Sequence, residues 1–265
     1  MDIKTFLKKN SIDNFISYSV QKKAADVFNI SFRDVEKITL EQEITPLRYK
    51  RNQSTIDIKA QKILFNSHVV IIGCGGLGGY IAEILTRLGI GKLTIFDFDI
   101  FEEHNLNRQN FSTIENLGKE KVIIVKENLE KINPAIEIIA FTKKFDVQTD
   151  FDLINNVDII VDAVDNPETK LKLADVCKKK NINFVHGAVA GMSGQFITNN
   201  TLENFYRNSE KGIEKTIGTP AFSVSFAATI QSTEVVKLLL NTGNKLNNKF
   251  LITDLLEYEF LLFSL

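Results

Sequence analysis

From Val69 onward, short β-branched runs alternate with longer stretches carrying apolar residues at i, i+3 and i+4. VVIIG (69–73) predicts a strand ending at glycine, and GYIAEILTRLGI (79–90) a helix. KLTIFDFD (92–99) predicts the next strand, and ENLGKEKVIIVKENLEKINP (115–134) a helix closed by Asn133-Pro134. IEIIAF (136–141) and VDIIVDAVDN (157–166) predict strands, the second with acidic residues at its end. TKLKLADVCKKKN (169–181) predicts a helix and INFVHGAV (182–189) a strand. A further strand is expected at Gly194–Thr198, a polar irregular stretch at 199–220, a buried helix at Phe222–Leu240, and two edge strands within Phe250–Leu265. Strands separated by helices of this length imply parallel β-α-β units. The expected fold class is α/β, a Rossmann-like doubly wound, mostly parallel sheet.

Residues 1–65 carry helical spacing and no strong strand signal, with Ser31 as an N-cap and Pro46 as a break. Another polar helix is expected from Ser54 to Phe65. The expected division is an N-terminal helical extension at 1–60 and a nucleotide-binding domain at 61–265.

Composition narrows the function classes. Lys and Arg total 32 against 33 Asp and Glu, for a net charge of −1. A sequence-independent grip on nucleic acid needs clustered excess cations, so none is expected. The longest apolar region, 69–90, is interrupted by six glycines, Glu83 and Arg87, whereas a bilayer span needs about 20 mostly apolar residues. Residues 1–15 lack a secretory apolar stretch. No membrane association is expected, and the expected location is the cytoplasm. Two cysteines, Cys74 and Cys177, are too few for a disulfide framework or a four-cysteine zinc site. Each reads as a small buried packing residue.

The chemistry concentrates after the first strand. Gly73, Gly75, Gly76 and Gly78 form G-x-G-x-x-G(-like) spacing, Gly73-Cys74-Gly75-Gly76-Leu77-Gly78, between a strand and a helix. Glycines let the backbone approach phosphate, and the helix N-terminus supplies unpaired N–H groups. Asp97 closes the next strand, where a carboxylate accepts hydrogen bonds from ribose hydroxyls. Asp99 and Asn105 follow, then Arg108 and Gln109. An Arg-Gln pair there suits a triphosphate: the guanidinium forks around phosphate oxygens and the amide donates. Lys121, at a predicted helix start, is placed to reach a phosphate as a point charge. Asp165 is expected at the end of its strand, at the carboxyl edge of the sheet, with donor chemistry that suits Mg²⁺. The ordinary readings of the same residues are a surface ion pair for Arg108, a solvated helix face for Lys121, and a turn or helix cap for Asp165-Asn166-Pro167.

GCGGLG, DFD, NLNRQ, LGKEKV, INP and DAVDN, with RYKRN at 48–52 ahead of them, occur in an order that resembles the ThiF/MoeB/HesA family, bacterial relatives of the ubiquitin-activating enzymes. The resemblance covers about residues 48–260. It implies a homodimeric enzyme that binds Mg-ATP and adenylates the Gly-Gly C-terminus of a ubiquitin-like sulfur-carrier protein, for thiamine or molybdopterin/tungstopterin synthesis. By the same resemblance Asp97 looks like the ribose ligand. Asn105, Arg108, Gln109 and Lys121 look like the phosphate cradle, Asp165 like the magnesium ligand beside Asn166, and Arg51 like an arginine that reaches the partner subunit's site.

The chain departs from many relatives in two places. No CxxC pair follows Cys177, so no zinc is expected. The stretch GIEKTIGTPAFS (212–223) has no cysteine for a thioester or persulfide. Residues 1–47 lie outside the core resemblance, and 202–220 are placed to order over the substrate tail. Competing readings are adenylation of another carboxylate (a precursor peptide or a modified tRNA base), a non-catalytic nucleotide-binding partner, and an NAD-dependent oxidoreductase.

Overall fold

The computed structural model describes residues 1–200, 202 and 217–265. The expectation that 202–220 order over a substrate falls largely on residues outside the described ones, as do 204–208, where a first cysteine pair would lie.

Eight strands form one sheet. They are β3 (His68–Ile72), β4 (Lys92–Asp97), β5 (Glu137–Thr142), β6 (Ile159–Asp162), β7 (Asn183–Ala190), β8 (Ser193–Thr198), β9 (Lys249–Asp254) and β10 (Glu259–Ser264). Their order is β10-β9-β8-β7-β6-β3-β4-β5. Pairings from β5 to β7 are parallel, and β7–β8, β8–β9 and β9–β10 are antiparallel. The expected fold class therefore holds.

β3 is buried along its whole length because helices cover both faces of a central parallel strand. Its side chains alternate between two cores: Val69 and Ile71 pack on one face, Val70 and Ile72 on the other. The first face is covered by α4 (Ile58–Asn66), α5 (Gly76–Leu88), α6 (Lys121–Ile132) and α8 (Ala221–Leu240). The second is covered by α7 (Pro167–Lys180) and Phe145.

Several boundaries differ from expectation. α5 starts at Gly76 rather than Gly79, so the glycines supply its first turn. α6 starts at Lys121, preceded by a separate 3-10 turn at Ile114–Asn116. β6 stops at Asp162 rather than running to Asp165, because Asp162 turns its carboxylate back to the Val164 amide (3.1 Å) and ends the ladder.

The N-terminal region comprises α1 (Ile3–Lys9), α2 (Tyr18–Phe28) and α3 (Phe32–Glu41). Ser31 caps α3 as expected, accepting from the Asp34 amide at 3.0 Å. Two short strands, β1 (Phe15–Ile16) and β2 (Thr45–Pro46), pair in parallel where only helix was expected. Two-residue strands leave no periodicity to read. The expected division at 60/61 falls inside α4.

This region has its own small core, including Phe6, Leu7, Val35 and Ile44. A buried polar network ties it to the sheet domain. Glu36 accepts from Tyr49 (2.9 Å), from Gln21 (3.0 Å) and from Arg48. Asn133 of the INP segment donates to Tyr49 (2.8 Å) and to the Thr86 carbonyl (3.1 Å). Burial raises the Glu36 carboxyl, and the Arg48 charge opposes this. A buried ion needs this kind of pairing, since removing one partner costs about 3–5 kcal/mol.

Candidate active site

The sheet reverses its winding between β3 and β6, and a cavity of about 1210 Å³ opens beside their carboxyl ends. Open α/β sheets bind ligands at this place, because two neighbouring crossovers diverge there and leave a crevice.

The glycine turn forms one wall. Gly73 has φ +99°, and a Cβ on it would lie 2.6 Å from the Ala163 carbonyl oxygen. A Cβ on Gly78 would collide with the Gly73 carbonyl oxygen. Gly75 is the N-cap of the 13-residue helix α5, whose first turn leaves amides without intrahelical partners. Gly75 and Gly76 both line the cavity.

Asp97 closes β4 and is 8% exposed. One carboxylate oxygen accepts from the Cys74 amide (2.6 Å) and the other from the Asp99 amide (2.8 Å). Burial pushes this carboxyl above the usual range, and the two amides pull the other way. Lone pairs remain on both oxygens for hydroxyl donors.

The segment after β4 brings the expected cradle together. Arg108, Gln109, Asn105 and Lys121 all line the cavity. Arg108 Nη1 donates to the His104 carbonyl (2.9 Å) and Asn107 Oδ1 (3.0 Å). Among the described residues no carboxylate pairs with it, so the surface ion-pair reading fails. Burial lowers its pKa, the mark of a guanidinium taken partly out of water without an anion. Among the described residues Gln109 Oε1 is buried with no hydrogen-bond partner, and its Nε2 would stand 3.6 Å from a Cβ on Gly75. Asn105 Oδ1 accepts from the Glu102 amide (3.0 Å), closing a capping box on the turn Glu103–Asn105.

Lys121 is 7% exposed and opens α6. Its Nζ lies 3.4 Å from Asp99 Oδ2, and its amide donates to the Asp99 carbonyl (3.0 Å). Asp99 therefore holds Lys121 against the cavity wall, and the solvated-face reading of Lys121 fails. Asp165 also lines the cavity and is exposed, and no hydrogen bond or ion pair among the described residues engages its carboxylate. Asn166 caps α7, accepting from the Thr169 amide (2.9 Å). The turn-and-cap reading thus describes Asn166, while Asp165 stands free beside the cradle.

Arg51 sits exposed at the end of the 3-10 helix Leu47–Asn52 and is not among the cavity-lining residues. His104 is exposed at the cavity rim. Cys74 and Cys177 are free thiols buried in the core, and burial pushes Cys177 up to about 12.

A group beneath the cavity escaped the sequence reading. Asp162, fully buried at the end of β6, accepts from Lys170 Nζ (3.1 Å) and from His186 Nδ1 (2.6 Å). Gln231 Nε2 donates to its carbonyl (2.9 Å). The available signal was Lys170 itself. It shares the buried row of α7 with Leu173, Ala174 and Cys177, where an unpartnered lysine would be prohibitively desolvated.

The oxygen-rich, carboxylate-bearing wall fits a magnesium–triphosphate complex. Mg²⁺ takes one or two carboxylates plus phosphate and water oxygens, and Asp165 offers such a donor in the cavity that Arg108 and Lys121 also line. Among the described residues no helix is long and apolar enough to cross a membrane.

Comparison with known proteins agrees with this geometry. A ThiF family profile matches residues 49–265. A SAMP-activating enzyme E1 from Haloferax volcanii is 30% identical over 84% of this chain and 87% of its own length. A molybdopterin-synthase adenylyltransferase from Haemophilus influenzae is 32% identical over 78% of this chain and 90% of its own. The crystal structure of E. coli MccB with ATP superposes with a TM-score of 0.71 at 23% identity, covering 92% of this chain and 82% of MccB. The chain belongs to the ThiF family. It is an enzyme of the adenylyltransferase class.

Proposed function

We propose that this enzyme adenylates the C-terminal glycine carboxylate of a ubiquitin-like sulfur-carrier protein. The carrying observation is one cavity that holds the glycine turn, Asp97, the unpaired Arg108, Lys121 and the free Asp165 together. Its volume exceeds the roughly 300–1,000 Å³ of ordinary small-ligand pockets, leaving room for a carrier tail beside a nucleotide. The relatives named for SAMP and molybdopterin-synthase activation support the carrier reading.

In this reading Asp97 binds the ribose hydroxyls, and the α5 N-terminus with Asn105 and Gln109 receives the phosphates. Arg108 and Lys121 neutralise charge on the triphosphate. Asp165 would hold Mg²⁺, which would supply further charge neutralisation for the triphosphate. A carboxylate oxygen attacks the α-phosphorus, the bond to the β-phosphate oxygen breaks, and pyrophosphate leaves with an acyl-adenylate formed. The protein's work is alignment and electrostatic stabilisation. Arg51, remote from its own chain's cavity, serves a second copy in a homodimer.

With both thiols buried, the chain offers no exposed cysteine to take over the acyl group. The adenylate is passed to a nucleophile on another molecule. Thiamine and molybdopterin synthesis are the pathways this chemistry fits.

One observation favours a peptide substrate as the second reading. The family match begins at residue 49, whereas the fold likeness to MccB covers 92% of the chain and so extends into the residues before it. In that version the N-terminal helices hold a precursor peptide.

The test is exchange of labelled pyrophosphate into ATP, driven by a panel of small proteins ending in Gly-Gly and of peptides. Exchange with a Gly-Gly protein supports the carrier reading, and exchange with peptides alone replaces it by the second. Absence of ATP binding refutes both.

A further inference from the structure

The loop that carries Asp165 is gripped from below by charges that the adenylation chemistry itself does not use. Asp162 and Lys170 stand eight residues apart across a strand-to-helix turn, and their ion pair closes that turn. The second carboxylate oxygen of Asp162 takes the Val164 amide (3.1 Å), and the Ala163 amide donates to the Ile72 carbonyl (3.0 Å). At the far end Asn166 is fixed as the α7 cap. From the side, the Ala163 carbonyl oxygen packs so close to Gly73 that a Cβ there would lie 2.6 Å from it. Of residues 163–166, only Asp165 and Asn166 are exposed.

The arrangement over-determines the backbone while leaving the Asp165 carboxylate free. Lys170 lines the cavity and is 5% exposed, so its charge faces Asp162 with little screening. Burial favours neutral His186, and its Nδ1 then serves as the N–H donor to Asp162. The cluster is one cation, one anion and one neutral ring, a combination that removes no net charge from water.

We propose that Lys170, with Asp162 and His186, is a positioning device that presents Asp165 to the metal–triphosphate complex. Lys170 is a positioning residue, acting through Asp162 and the loop amides. This rests on the reading of Asp165 as the magnesium ligand.

The test measures ATP affinity by calorimetry with and without Mg²⁺, for the wild type, Lys170→Met, Lys170→Arg and Asp165→Asn, alongside deuterium exchange of amides 163–166. The expected result is that Asp165→Asn loses the magnesium-dependent gain in affinity. Lys170→Met loses at least ten-fold of that gain and exchanges the loop amides faster, and Lys170→Arg restores most of both. Metal-free ATP affinity of the Lys170 variants stays within about two-fold of the wild type. If Lys170→Met does not fold, Lys170→Gln is used, which keeps a donor without the charge. A folded Lys170→Met or Lys170→Gln with the full magnesium gain, or with unchanged loop exchange, overturns the positioning role while Asp165 stands. Retention of the gain by Asp165→Asn overturns the magnesium reading, and this inference with it.

Discussion

Two groups of charges meet at one cavity and are built in opposite ways. At the cavity wall Arg108 has no acid partner and Asp165 has no donor among the described residues. Beneath it Asp162 pairs with both Lys170 and His186, all three buried. Charges left incomplete are available to a ligand, whereas charges completed internally fix a backbone. The difference teaches that exposure and pairing, rather than residue type, separate groups that bind from groups that hold.

The comparison makes unequal predictions about activity and stability. The largest effect is on catalysis. Lys121→Ala and Asp165→Ala each lower pyrophosphate exchange by about 10²–10³-fold, by analogy with lost transition-state donors. For Asp165→Ala the folding free energy, from urea unfolding, stays within about 0.5 kcal/mol, as for an ordinary exposed position. Wild-type exchange by either variant removes that residue from the site.

Asp162→Ala inverts the pattern. It strands the Lys170 charge in the core, and the expected destabilisation is about 3–5 kcal/mol. A shift under about 1 kcal/mol means the cluster does not hold the fold.

Acid sharpens the contrast further. Burial lowers the His186 pKa, so the unfolded chain binds this proton more readily than the folded one. The stabilisation from keeping His186 neutral is complete above about pH 6.5, the unfolded value, and is lost as pH falls below it. Glu36 acts in the opposite sense, because burial raises its carboxyl; its contribution is present at low pH and lost as pH rises through its folded value. The Tm difference between wild type and His186→Gln isolates the histidine. It is expected to shrink steadily from pH 7 to pH 5, and a constant difference would show that His186 does not titrate with folding.

The smallest effect is at the thiols. Cys74→Ala with Cys177→Ala leaves exchange within about three-fold, and native protein resists a thiol reagent, since burial keeps both groups protonated. A loss of exchange on the order of 10²-fold would reinstate a covalent step.

Much of the wall was legible from local pattern. The glycine turn, Asp97 and the Arg108–Gln109 pair fall where strand and helix signals meet, and backbone geometry fixes such places within a few residues. Asp165 was identified, but its strand was read three residues too long. An apolar run cannot show where a carboxylate turns back to its own backbone. Lys170 carries no distinct local signal, because it is one of five lysines in α7. His186 carries no local signal either, because its partner Asp162 lies 24 residues away.

The sequence by itself determined the α/β class, the positions of the parallel units and the chemical character of the cavity wall. Those follow from hydrophobic periodicity and from residues close to one another along the chain. Only the tertiary structure decided the sheet order, the antiparallel β8–β10 edge, the docking of the N-terminal helices through Glu36 and Tyr49, and the partner of each buried charge. Those depend on contacts between distant segments, where pairing and desolvation are set by what the fold brings together.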